Sequence, residues 1–403
     1  VIPEHYLFDT FHGKRIHLGV TGSIAAYKAL DLTRAFLRLN IQVGATLTEA
    51  ARKFVTELSF SALGADPLFT DMFAQGMNYD HLEPAVADAF VVAPATANTL
   101  ARMANGLADD LLSCQILAYP GPVLVAPAMN PRMWTAPATR RNWDVLGERG
   151  VRRISPDCGS VACGDTGQGR LAPVEEIFVQ TLAALAPQDL AGRKVMLTLG
   201  PTREYFDRVR FWSNPSSGTM GATLAIAAAL RGAEVTAVTG PVDLPLPAMI
   251  RRVPVVSARE MFEACRDLFP TQDIGCFTAA VADFRPPACD TGKFKKGGAP
   301  LSLTFKPNPD ILATLSGDKS SKQLTIGFAA EAQDLEENAR GKLERKNLDL
   351  IVANPVDEPG AGFAARTNRV LIMDRHGRKE SWPQLPKTEI AWRIWDWILM
   401  NTP

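Results

Sequence analysis

Apolar residues run through 15–22 (RIHLGVTG) up to the closing glycine, and residues 24–39 then repeat them at helical spacing. That pattern predicts a strand, a tight turn and a helix. Further strands are predicted at 43–47, 89–93 and 123–126, with helical patterns between them. Continuous apolar strands alternating with helices imply a parallel sheet covered on both faces. The pattern restarts at 194–200 (KVMLTLG), with a helix over 218–231 and a strand at 234–240. Later strands are predicted at 274–282, 324–329, 348–353 and 369–374, and a last helix over 388–400. Proline and glycine interrupt the pattern in 183–192 (AALAPQDLAG), so a boundary is expected near Pro187, dividing the chain into 1–186 and 187–403. The fold class expected is α/β, with two doubly wound, Rossmann-like domains.

Composition narrows the classes of function. The 403 residues exceed the usual size of one core. The 43 basic and 43 acidic residues cancel, which removes the electrostatic reason to expect nucleic acid or an anionic membrane as partner. No apolar run reaches membrane-span length and the first residues lack an apolar signal core, so a cytoplasmic enzyme is expected. The six cysteines contain no CxxC pair, and with five histidines they give no zinc set at usable spacing. Any metal ligands are left unassigned. Neither half has a GxGxxG turn with an acidic residue at ribose distance, nor a GxxxxGK[ST] loop.

Candidate chemistry lies at the ends of the predicted strands. Thr21-Gly22-Ser23 follows the first strand and opens a helix, where amides and hydroxyls suit a phosphate, though such turns also carry Gly and Ser for geometry alone. Pro94-Ala95-Thr96-Ala97-Asn98-Thr99 follows the strand at 89–93, where open α/β sheets bind ligands. In the second half, 200–204 (GPTRE) and 210–221 (RFWSNPSSGTMG) combine hydroxyls, a glycine-opened helix and an arginine, suiting an anion or simply a polar loop. Residues 278–286 (TAAVADFRP) read as a buried strand ending in a carboxylate, and KFKK at 293–296 as a solvated charge run or a triphosphate contact.

Taken in order, GVTGSIAAYKAL, DHLEPAVADAFVVAPATANTLARMANGLADDLL, VLVAPAMNPRMW and ACGDTGQGR resemble the flavin-containing cysteine decarboxylases, and among them phosphopantothenoylcysteine decarboxylase. GPTRE, SSGTMG, AAVADFRP, KFKK, NPDIL, GFAAE and KLERKNLDLIVANP resemble phosphopantothenate–cysteine ligase. The chain is thus similar throughout to the bifunctional family that fuses the two. The resemblance implies a flavodoxin-like FMN domain followed by a nucleotide-binding domain. It implies ligation of 4′-phosphopantothenate with cysteine, driven by CTP and Mg²⁺ through an acyl-cytidylate, then FMN-dependent decarboxylation to 4′-phosphopantetheine. It also implies a homo-oligomer, trimeric and building a dodecamer through the flavin half, dimeric through the ligase half.

The same resemblance implies roles for single residues. His81 serves acid–base work or polarisation during thiol oxidation, although a lone histidine at a helix start is more often a surface residue, a balance that the surrounding motif reverses. Asn130 grips the substrate carboxylate, while Asn130-Pro131 also reads as a helix cap followed by proline. Cys163 protonates the enethiolate, carried by a glycine-rich flap over 158–173, and Cys158 is incidental. Gly22, Ser23, Thr48, Thr96, Ala97 and Asn98 are implied FMN contacts, with Ser59 and Ser61 as candidate phosphate ligands. In the ligase half Asn214 serves turnover of the acyl-cytidylate and Arg210 binds substrate. Ala280, Asp283, Lys293, Asn308, Pro309, Asp310, Ile311, Phe328, Lys342 and Lys346 are implied nucleotide contacts. Two other readings stay open: one active half only, or a flavin-binding regulatory protein.

Overall fold

A computed structural model describes residues 2–73, 79–160, 164–286, 303–331, 333–355 and 365–401. The chain forms two compact units, one of residues 1–2 and 9–186, the other of residues 3–8 and 187–403. No helix among the described residues is long and apolar enough to cross a membrane.

In the first unit, the chain runs through β1 (Arg15–Val20), α1 (Lys28–Leu37), β2 (Gln42–Leu47), α2 (Glu57–Ser61), β3 (Leu68–Phe69) and β4 (Ala89–Ala95). It continues through α3 (Ala97–Asn105), α4 (Leu111–Ala118), β5 (Val123–Pro127), α5 (Pro131–Thr135), α6 (Pro137–Glu148) and β6 (Arg152–Arg153). A hairpin of β7 (Asp157–Ser160) and β8 (Thr166–Arg170) precedes α7 (Val174–Leu185). The main sheet is parallel, in the order β3-β2-β1-β4-β5-β6. The strand order reverses between β1 and β4, so the loops leaving these two strands diverge and open a crevice. Every residue of β4 is buried, as its unbroken apolar run requires. Phe90, Val92, Leu100, Leu112, Val125, Trp134 and Trp143 form one core around it. The helix expected from residue 24 opens as a 3₁₀ turn, Ile24–Tyr27, before α1. Ser23 caps that turn, its hydroxyl accepting the Ala25 N–H.

The second unit contains β9 (Lys194–Leu199), β10 (Arg203–Tyr205), β11 (Phe211–Ser213), α8 (Thr219–Leu230), β12 (Glu234–Thr239) and β13 (Arg251–Pro254). Next come α9 (Ala258–Leu268), β14 (Ile274–Phe277), β15 (Phe284–Arg285), β16 (Lys306–Pro307), α10 (Ile311–Asp318) and β17 (Leu324–Glu331). The unit ends with α11 (Leu335–Arg345), β18 (Leu350–Pro355), β19 (Thr367–Asp374), β20 (Lys379–Pro386) and α12 (Lys387–Asn401). Its sheet order is β13-β12-β9-β14-β17-β18-β19-β20. β19 and β20 are antiparallel additions, and the reversal falls between β9 and β14. Residues 3–8 belong to this unit: Tyr6 and Phe8 are buried, and Phe8 meets the Trp392 ring edge-on at 5.9 Å.

One predicted strand is shorter than expected. The strand from Ile274 ends at Phe277, not at residue 282. Beyond it the carbonyls of Ala280 and Val281 accept from Asn214 Nδ2, and that of Ala282 from Asn308 Nδ2. The N–H groups of Thr278 and Ala280 still donate to Thr198 O and Gly200 O, with a bridge between Pro201 and Ala280, so contact with the end of β9 and the chain after it persists while side-chain amides take the carbonyls of 280–282.

Candidate functional site

In the second unit a cavity of about 730 Å³ opens at the reversal between β9 and β14, within the usual size for a cofactor or nucleotide site. Its lining includes Asn214, Ala280, Asp283, Asn308, Pro309, Asp310, Ile311, Phe328, Lys342 and Lys346, all expected nucleotide or catalytic residues. The first turn of α8 supplies another wall, with Ser216, Ser217, Gly218 and Thr219. Gly218 takes φ +75°, and a Cβ there would lie 3.2 Å from the Gly200 backbone, so two glycines are needed for the turns to pass. Gly221 has the same function one turn on: a Cβ would stand 2.5 Å from Leu199 Cβ, so α8 seats directly on β9. An eight-residue or longer helix begun this way aims unpaired amides and the positive dipole end at the cavity.

The polar residues are held in fixed orientations. Asn214 Nδ2 donates to Ala280 O at 3.2 Å and Val281 O at 3.1 Å, committing both its hydrogens and leaving Oδ1 as acceptor. Asn308 Nδ2 donates to Ala282 O at 2.7 Å, and its Oδ1 accepts from Arg285 at 3.0 Å. Asp310 caps α10 and pairs with Lys346 at 2.9 Å. Its burial would raise the carboxyl, but the Ala313 N–H and the Lys346 ammonium together bring it below the usual carboxylate range. Lys342 pairs with Glu331 at 2.5 Å. Lys346 lies just past the end of α11, so the two lysines reach different carboxylates.

Arg210 is not part of the cavity wall. It sits at the β10–β11 hairpin, 3.4 Å from the buried carboxylate of Asp207, which also accepts the Arg210 N–H. Lys293 and the rest of KFKK lie outside the described residues. Among the cavity residues not anticipated as site residues are three with polar side chains, Asn354, Asn368 and Lys387. Lys387 opens α12 and is 5% exposed, and burial lowers its ammonium. A lysine at a polar helix start reads as solvated, so nothing in the sequence marked it.

A second cavity, of about 530 Å³, lies at the opposite end of the same sheet, beside Ile274, Leu324 and Leu350. Asp349 on its wall is already held by Lys319 at 2.5 Å and Arg375 at 3.0 Å. The strand order places ligand sites at the other end.

In the first unit two turns meet at the reversal. Thr21 Oγ1 donates to Pro94 O at 2.7 Å and accepts the Thr96 N–H at 3.0 Å, tying the turn after β1 to that after β4. Thr96 caps α3, which leaves the amides of Ala97 and Asn98 in the unpaired first turn. A Cβ on Gly22 would clash with Ala50. Small residues and outward amides of this kind fit a phosphate and a flat ring. Thr48 accepts from Ala51 N–H, Ser61 donates to Leu58 O, and Ser59 lies 3.4 Å from Thr56 Oγ1.

His81 is exposed on a tight turn, with Leu82 N–H donating to Tyr79 O at 2.7 Å and Tyr79 at φ +70°. Asn130 caps α5 before Pro131, its Oδ1 accepting Arg132 N–H at 2.8 Å. Its Nδ2 donates to Asp165 at 2.8 Å. Asp165 was not anticipated. It is brought there by the β7–β8 hairpin, whose base lies flat on the Asn130 turn: Met129 N–H donates to Gly169 O at 2.9 Å, and a Cβ on Gly169 would clash with Met129 O. Gln168 ties the same hairpin to Trp134 at 3.0 Å and to Pro156 O at 3.1 Å. Cys158 is exposed on β7, while Cys163 lies outside the described residues. Among the described residues no three His, Cys, Asp or Glu side chains cluster to hold a metal.

The family model described as "Flavoprotein" matches residues 9–186, and that described as "DNA/pantothenate metabolism flavoprotein C-terminal domain" matches 190–401. The chain is 43% identical over 390 residues to the coenzyme A biosynthesis bifunctional protein CoaBC of Bacillus subtilis, covering 95% of this chain and 96% of that one. The Escherichia coli protein of the same name is 43% identical over 395 residues, covering 94% and 97%. The crystal structure of the C-terminal domain of a CoaBC is 38% identical and spans 53% of this chain and 97% of that one, with a TM-score of 0.46.

Proposed function

The chain belongs to the family of coenzyme A biosynthesis bifunctional proteins CoaBC, and from that premise we propose how its two units divide the work. It is a bifunctional enzyme of coenzyme A biosynthesis, with a ligase and a decarboxylase activity. Residues 187–403 join 4′-phosphopantothenate to cysteine using CTP, and residues 1–186 decarboxylate the product to 4′-phosphopantetheine.

A carboxylate does not react with an amine, so the ligase must first activate it. The 4′-phosphopantothenate carboxylate attacks the α-phosphorus of CTP, forming an acyl-cytidylate and releasing pyrophosphate. The cysteine amine then attacks the acyl carbon, CMP leaves and the amide forms. The α8 amides receive phosphate oxygens, and Lys342 and Lys346 exchange their carboxylate partners for phosphates. Asn214 keeps its Oδ1 for the attacking amine, because both Nδ2 hydrogens are committed to the backbone. Mg²⁺ would supply charge neutralisation on the triphosphate, and the carboxylates of Asp283 and Asp310 on the cavity wall are the residues that would hold it.

Thr21–Ser23 and Thr96–Asn98 would hold FMN, and the chemistry it would supply there is a two-electron oxidation of the cysteine thiol and the matching reduction at the end. A thioaldehyde beside the carboxylate provides the electron sink for loss of carbon dioxide, which a plain cysteine lacks. His81 takes or shares the thiol proton. Asn130 Nδ2 holds the substrate carboxylate in the place where it now meets Asp165. Cys163 returns a proton to the enethiolate carbon.

The observation that supports this most strongly is the single cavity lined by Asn214, Asp283, Asn308–Ile311, Phe328, Lys342 and Lys346. The homo-oligomer is part of the proposal: Ile24, Tyr27, Phe54, Leu58, Leu82 and Val86 are all exposed on the first unit, as buried assembly contacts would be in a lone protomer. Sedimentation tests that part, a monomer being the contrary result. The cytoplasm is the proposed compartment. For the chemistry, His81→Asn is expected to stop carbon dioxide release while pyrophosphate release continues. Loss of both in a folded variant contradicts the division of labour.

A further inference from the structure

Behind the His81 turn lies a buried polar chain in otherwise apolar surroundings. His17 on β1, Thr46 on β2 and Gln115 on α4 are 2%, 1% and 0% exposed. β1 and β2 pair Gly19 with Thr46 and His17 with Gly44, so the His17 and Thr46 side chains are diagonal neighbours on one sheet face. The imidazole is seated by design of the site: its ring lies 5.0 Å from that of Phe90 and 5.8 Å from that of Phe69. Opposite it stands Gly44, where a Cβ would come within 2.9 Å of Nδ1.

Each hydrogen in this chain has one possible direction. Thr46 Oγ1 donates to Gln115 Oε1 at 2.5 Å. Its proton is thereby committed, so at its 2.8 Å contact with His17 Nε2 it accepts. His17 is neutral, since burial lowers its pKa to about 3, and it carries its proton on Nε2. The direction is set at the far end: the Asp80 carbonyl can only accept, so the Gln115 atom facing it at 3.0 Å is the donating Nε2, and Oε1 is left facing Thr46. That carbonyl immediately precedes His81.

We propose that His17, Thr46 and Gln115 form a positioning relay for His81, fixing the turn that presents its imidazole. This rests on the proposed role of His81. The turn needs such a hold. Tyr79 is left-handed at φ +70°, a backbone conformation unfavourable for a non-glycine residue. The Leu82-to-Tyr79 hydrogen bond closes the turn but does not set its angle to the sheet. Gln115 does, because it ties the middle of the turn to a helix packed on the sheet. None of the three side chains touches substrate; their effect reaches the chemistry only through the placement of His81.

The test uses the full-length protein with FMN bound. Gln115→Met keeps volume but loses both ends of the amide, and is expected to lower kcat for decarboxylation on the order of tenfold to a hundredfold, as misplacement of a reacting group does. KM for the ligated substrate should stay within about twofold, since uniform binding is untouched. The flavin absorbance spectrum and the rate of pyrophosphate release should be those of the parent. Thr46→Val, which releases the Gln115 amide, should reproduce the kcat loss, and Thr46→Ser should restore it. This pair carries the test if Gln115→Met does not fold. Parent-like kcat in Gln115→Met and Thr46→Val, with His81→Asn inactive, overturns the relay but leaves the role of His81 standing. Parent-like decarboxylation in His81→Asn overturns both.

Discussion

Asn214 is the residue on which the ligase account depends most. Both its amide hydrogens meet backbone carbonyls, of Ala280 and Val281. Asn214→Asp sets a carboxylate against two carbonyl oxygens, so both positioning donations are lost and the amine-accepting oxygen is displaced from its place. The acyl-cytidylate is expected to form and persist, detectable by mass spectrometry after quenching; rapid turnover to the amide would remove Asn214 from its role. Lys387 is the second test at this scale. Its buried ammonium lines the cavity, and Lys387→Met is expected to raise KM for CTP on the order of tenfold with a smaller change in kcat, one lost charge-assisted contact being worth about 1.5–3 kcal/mol. An unchanged KM would leave this lysine a structural residue.

Among elements, the seating of α8 on β9 sets the end of the cavity proposed to take the nucleotide phosphates. Gly221→Ala adds a methyl within 2.5 Å of Leu199 Cβ, so the helix start must lift and its first-turn amides with it. Destabilisation by about 1–3 kcal/mol is expected, together with weakened CTP binding and unaltered decarboxylation. Calorimetry and nucleotide titration measure the two effects; tight CTP binding in that variant would separate the helix start from the phosphates. The elements also mark what was legible. β1, β4 and β9 stood out because strands buried on both faces are continuous apolar runs. The true end of β14 did not, because residues 278–282 are as apolar as a strand and keep N–H bonds to the end of β9 and the chain after it, while their carbonyls from 280 on go to the distant Asn214 and Asn308. His81 and Asn130 were singled out by their motifs, and their roles are part of the proposal. Asp165, Gln115 and Lys387 were not, since each acquires its meaning from a partner far along the chain.

At the scale of the whole molecule, residues 3–8 belong to the second unit although residues 9–186, which follow them, build the first. Phe8 is buried among residues of the second unit, against Trp392, although the flavoprotein match begins at residue 9. Phe8→Ala is expected to cost the second unit about 3–5 kcal/mol and to lower the temperature at which ligase activity is lost, while release of FMN on heating is unchanged. A fall in the flavin transition alone would assign residue 8 to the other unit. Within the second unit Arg231 supports the return of α12, with bonds of 2.6 Å to Asp189 and 2.6 Å to Asp396.

The central claim is that one polypeptide ligates and then decarboxylates. Purified, FMN-loaded protein should be given 4′-phosphopantothenate, CTP, Mg²⁺ and cysteine labelled in its carboxyl carbon. The account predicts unlabelled 4′-phosphopantetheine, with one pyrophosphate and one labelled carbon dioxide released for each molecule formed. Labelled 4′-phosphopantothenoylcysteine accumulating without carbon dioxide, or no product above a control lacking enzyme, would contradict it.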